Sequence, residues 1–153
     1  MAAIDALNEF KEGVQLLKGG YSKNALTHLR RSVELESSNP YYLSFLGLAI
    51  ARSEKRWTEA VKLCEGALQL KRKELQLHLN LAEVYAGAGR RDSAIYTLDR
   101  ALENFGPNTR LVKARSRVEQ RRSPLLPFLE RQNPLNVSLG KLRHRASQYL
   151  TVR

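Results

Sequence analysis

A chain of 153 residues, 42% hydrophobic and 27% charged, is long enough for one domain with its own core and too apolar for disorder throughout. The single cysteine, Cys64, excludes an internal disulfide framework and any Cys/His zinc spacing, and no apolar run approaches the roughly 20 residues that span a bilayer. The formal charge is +11, but residues 1–106 hold 15 Lys/Arg against 13 Asp/Glu while residues 107–153 hold 11 against 2, so any attraction to polyanions belongs to the C-terminal third.

In chain order, the opening MAAIDALNEFKEG has neither the basic start nor the continuous apolar stretch of a signal peptide. With the lone cysteine it predicts a cytoplasmic protein, without metal or cofactor. Apolar residues at helical spacing lead to Gly19-Gly20, and a second helix around Ala25 and Leu29 runs to Asn39-Pro40. A second pair, around Gly47 and then Ala60, turns near SEKRW. A third, around Ala82 and then Ala94, turns at Gly87/Gly89 and ends at Gly106-Pro107. Proline suits the first turn of the helix that follows each junction.

These pairs repeat. Gly13, Gly47 and Ala82 are 34 and 35 residues apart, and Ala25, Ala60 and Ala94 are 35 and 34 apart, with one extra residue expected in the second turn. Small residues at these positions let two helices approach at the short end of the usual spacing of about 8–10 Å. Larger core residues follow at fixed offsets: Leu16, Ile50 and Tyr85 after the first small position, Leu29, Cys64 and Leu98 after the second. A lone helical hairpin cannot bury its apolar face, so each pair needs its neighbour.

A 34-residue helix-turn-helix period with small residues at its eighth and twentieth positions, a large residue at the eleventh and proline at the boundary resembles the tetratricopeptide repeat. Three copies match, about 6–39, 40–74 and 75–108, and a helix over about 108–121 resembles the capping helix of such arrays. The first copy departs most, with Glu9 and Glu12 in apolar slots and Ser32 where alanine is usual. The resemblance implies an all-α, right-handed superhelical array of antiparallel helix pairs over residues 1–122. It implies a non-enzymatic interaction module whose inner face holds a protein or peptide. On that face it places Leu7, Phe10, Val14 and Leu17, then Tyr41, Ser44, Leu48, Ala51 and Arg52, then Gln76, Leu79, Glu83 and Ala86.

One branch of the family grips the C-terminal carboxylate of heat-shock chaperones with cationic and amide residues at the fifth and ninth positions. Here Phe10/Val14, Ser44/Leu48 and Leu79/Glu83 stand there instead, which disfavours that ligand and favours an amphipathic helix or extended apolar peptide. Core packing or self-association is the alternative use of the same residues, so a homo-oligomer stays open. His28, His78 and His144 fall on different elements without a carboxylate at useful spacing, and Cys64 sits in a repeat-core slot.

Residues 123–153 break the repeat. Pro124, Pro127 and Pro134 prevent one continuous helix, while Leu125, Leu126, Phe128 and Leu129 are too apolar for a free linker. Beyond Asn136, Leu139, Leu142, Ala146, Tyr149 and Leu150 share one face and Lys141, Arg143 and Arg145 another, as in a short basic amphipathic helix. Docking within the protein is the favoured reading of this tail. The alternative function is a basic accessory protein that binds nucleic acid or an anionic membrane through residues 110–145 of the C-terminal third, with the repeats as its scaffold.

Overall fold

The computed structural model describes residues 2–120 together with Pro134, Val137, Ser138 and Lys141. Among them are seven α-helices and no strand: α1 (Ala2–Lys18), α2 (Ser22–Leu35), α3 (Pro40–Ser53), α4 (Trp57–Leu70), α5 (Leu75–Gly87), α6 (Arg91–Phe105) and α7 (Thr109–Gln120). Helices 1–2, 3–4 and 5–6 pair as hairpins, and α3 packs against both α2 and α5, so successive hairpins stack into an all-α solenoid. Met1–Glu119 forms one unit and Gln120–Arg153 another. The PLLPFL segment, Arg143 and Arg145 lie outside the described residues. Lys141 is helical and exposed.

The small residues of the period sit where the hairpin helices cross. Ala25, Ala60 and Ala94 are fully buried. A Cβ on Gly13 would come within 2.6 Å of Leu29 Cγ, and one on Gly47 would lie 2.7 Å from Cys64 Sγ and 2.8 Å from the Ala60 carbonyl. Leu29, Cys64 and Leu98, predicted as the larger residues beside them, are also fully buried. Trp57 reaches across to the next hairpin: a Cβ on Gly87 would meet its ring at 2.8 Å.

The three hairpin turns have one conformation. Tyr21, Arg56 and Arg90 precede α2, α4 and α6 with φ −82°, −79° and −82° and ψ 58°, 71° and 67°. The residue before each has positive φ: Gly20 at 86°, Lys55 at 55° and Gly89 at 78°. Each connection spans three residues, so the extra residue expected in the second turn is absorbed by the end of α3 instead. Lys55 takes the left-handed step that glycine supplies in the other two turns, a conformation costly for a residue with a Cβ.

At the junctions, Asn39 caps α3, its side chain accepting from Tyr41 N at 3.1 Å with Pro40 in the first turn. Pro107 differs from expectation: α7 starts at Thr109, and it is Asn108 that caps it, accepting from Arg110 N at 2.9 Å. Two of the first repeat's departures, Glu9 and Ser32, have local explanations. Glu9 accepts from or pairs with His28 Nδ1 at 2.7 Å, the carboxylate partner that spacing along the chain had not revealed. Ser32, fully buried, donates to the Leu29 carbonyl at 2.8 Å and so leaves no orphan hydroxyl.

Candidate functional site

The odd-numbered helices form one row. Along it the residues predicted to line a groove divide into three groups. Leu7 is 42% exposed, and Phe10, Val14, Tyr41, Gln76 and Leu79 are half-buried, so each offers surface. Arg52 and Glu83 are exposed but bound to each other. Leu17, Ser44, Leu48, Ala51 and Ala86 are buried, Ser44 completely, and present nothing to a ligand in this structure. Packing between neighbouring first helices covers them, a consequence of stacking that a single helix's periodicity does not contain.

Phe10 has two duties. Its ring lies 4.7 Å from that of Tyr42 and 5.4 Å from that of Phe45, the second edge-on, and the contact joins α1 to α3 while the rest of the ring stays accessible. Tyr41, at the start of α3, sits beneath the Lys71 ammonium, which is 5.1 Å from the ring centre and 3.4 Å from the hydroxyl. Glu74, at 2.9 Å, holds Lys71 there; the hydrogen bonds of Lys71 with Glu74 and Tyr41 raise the ammonium's pKa, and hydrogen bonds from Lys71 and Tyr41 lower that of Glu74.

The charged edge is self-neutralised. Arg52 Nε donates to Glu83 Oε1 at 2.8 Å, and its Nη1 donates to the Leu17 carbonyl at 3.2 Å. One guanidinium thus ties the C-terminal end of α1 to α3 and α5, where the helix dipole also favours a cation.

Beneath the surface runs a polar chain that the sequence reading missed. Arg110 donates to Gln76 Oε1, Gln76 Nε2 donates to Asn80 Oδ1 at 2.7 Å, and Asn80 Nδ2 donates to Ser44 Oγ at 3.0 Å. Asn80 is 2% exposed. A polar residue in the middle of an otherwise apolar helical stripe was the available signal, since a buried amide must find partners. Ser44, expected to face a ligand, instead receives that amide, and its carbonyl accepts from the Cys64 thiol at 3.4 Å.

Cys64 is fully buried, and burial, reinforced by the Glu65 and Glu83 charges, pushes its thiol up to about 12. It is a core residue rather than a nucleophile. His78 is also buried, with Nε2 3.0 Å from the Arg72 carbonyl and its ring edge-on to Phe105. Among the described residues no group of three His, Cys, Asp or Glu is placed to hold a metal ion, and no helix is long and apolar enough to cross a membrane.

The tetratricopeptide repeat family model matches residues 51–118. No curated protein matches the sequence. Among solved structures, the chain is similar to the Arabidopsis OM64 TPR domain, with 17% identity and a TM-score of 0.66 over 78% of this chain and 98% of that one. It is similar to the first TPR domain of human RPAP3, with 19% identity and a TM-score of 0.66 over 77% and 92%. It is likewise similar to the second TPR domain of human RPAP3 in complex with the HSP70 peptide SGPTIEEVD, with 17% identity and a TM-score of 0.65 over 79% and 100%. At these identities the likeness is one of fold.

Proposed function

We propose that this chain, a tetratricopeptide-repeat protein, is a non-enzymatic interaction module, an adaptor or assembly factor that holds an apolar peptide or helix along its odd-numbered helices. The observation that carries this reading is the apolar strip of exposed Leu7 and half-buried Phe10, Val14 and Tyr41, continued by half-buried Leu79, which core packing leaves accessible. The similar solved TPR domains that are bound to HSP70 or HSP90 peptides support a protein or peptide as the occupant. Leu17, Ser44 and Leu48 serve this surface from below by fixing the helices that carry it.

Selection of a random peptide library on the immobilised chain tests the reading. Apolar sequences should be enriched, and Leu7→Glu with Tyr41→Ala should weaken their binding at least tenfold while circular dichroism shows the helical fold retained. Enrichment that is equal on the double variant would refute it.

A further inference from the structure

The row of ligand-facing positions does not stop at Glu83. Arg110, Lys113 and Arg117 on α7 follow Gln76, Leu79 and Glu83 on α5 at one constant offset of 34 residues. They lie on one helix face, within about 60° of each other at 100° per residue. All three are exposed, while Leu111 and Val118 bury the opposite side against α5 and α6. The bond from Arg110 to Gln76 shows the two faces adjoining.

Among the described residues these cations lack counter-charges. Neither Lys113 nor Arg117 has a polar partner among the described residues, and Arg110 has only the neutral amide. The acidic groups nearby are engaged elsewhere: Glu83 with Arg52, and Asp99 and Glu119 with Arg115, which points away from the strip toward α6. Residues 121–153 carry seven Lys/Arg and one acid, Glu130, so the strip's surplus of positive charge continues along the sequence.

We infer that α7 is a ligand-facing helix as well as a cap, and that its strip takes the acidic segment of a peptide whose apolar segment lies toward α1. The inference rests on the peptide-binding reading above and adds the ligand's polarity and direction. A peptide fits better than nucleic acid because the strip borders half-buried Leu79 and holds no aromatic side chain on which a base would stack. Three helix-to-helix steps of about 8–10 Å separate α1 from α7, a span that about nine extended residues cover at roughly 3.3 Å each.

Fluorescence anisotropy with three labelled probes tests this on the full chain. The probes are a 12-residue peptide with Leu and Val in its first half and four Glu in its second, its Gln-for-Glu analogue, and a 12-nucleotide single-stranded DNA. The acidic peptide should bind at least fivefold tighter than the Gln analogue. That advantage should vanish in Lys113→Gln/Arg117→Gln, whose exposed substitutions leave Tm unchanged, and should shrink between 50 and 300 mM salt. If both peptides bind equally and the variant binds them unchanged, the α7 strip has no such role while the apolar groove stands. If neither peptide binds, both readings fall. DNA binding tighter than the acidic peptide and lost in the same variant would also overturn the inference.

Discussion

Gly47 and Gly66 lie on partner helices of one hairpin, and alanine at each should move stability in opposite directions. Both positions are helical, so losing glycine's backbone freedom favours the folded state by roughly 0.5–1 kcal/mol in each case. At Gly66 nothing lies within 4 Å of the new Cβ, and that gain should appear whole, as a rise in Tm of roughly 3 °C. At Gly47 the methyl would sit 2.8 Å from a backbone carbonyl and 2.7 Å from the sulfur of a fully buried cysteine. The sulfur can rotate only into other core atoms, and the carbonyl belongs to α4 and cannot move without the helix. Overpacking of this kind costs about 1–3 kcal/mol, so the two variants should differ by about 1–3 kcal/mol and Gly47→Ala should lose up to about 2 kcal/mol net. Urea unfolding followed by circular dichroism, with m-values compared, measures this difference. If Gly47→Ala stabilises as much as Gly66→Ala, the close crossing of α3 and α4, and with it the physical basis of the repeat's small positions, is wrong.

Leu48→Glu should unfold the array rather than only block a ligand, at a cost above about 3 kcal/mol, because Leu48 is 4% exposed and a carboxylate there has no partner; a melting temperature within 2 °C of the parent would return Leu48 to the surface. Cys64 should resist a thiol reagent such as DTNB at pH 8 in the native state and react at the ordinary rate in urea, and equal rates would contradict its burial. Because its folded-state pKa is raised from 9.0 to about 12, the neutral thiol's contribution is fully present below pH 9 and is lost as pH rises toward 12. Tyr85, raised by partial burial and its bond to Glu65, acts in the same direction above pH 10, so urea midpoints should fall across pH 9–11 and should fall less in Cys64→Ala.

The fold was legible because its determinants are local and repeated. Gly13, Gly47 and Ala82 announce three identical crossings, and Leu29, Cys64 and Leu98 stand where the period puts them. The site was less so. Position along one helix marks Leu17 and Phe10 alike as inward-facing, yet Leu17 is buried and Phe10 is half-open, and only the neighbouring helix decides between them. The Glu9–His28 pair and the Arg52–Glu83 bridge join residues 19 and 31 apart, distances at which sequence carries no pairing signal. Lys113 and Arg117 were visible as charges, but reading α7 only as a cap hid that they continue the row of Leu79 and Glu83.

The hydrogen bond from Asn80 to Ser44 also limits how freely the array could be rebuilt. Solenoids are often treated as strings of exchangeable modules, lengthened or shortened by whole units. Here the second and third units are keyed to each other, because the amide on one and the hydroxyl on the other are complementary only in that order. Splicing a duplicate of residues 40–74 in after Glu74 would set Ser44 against the apolar Phe45 that takes Asn80's place in the copy, and circular reordering of the units would strand the Asn80 amide in a dry interface. Growth of this protein by internal duplication is therefore easier beyond α6 than between α3 and α5.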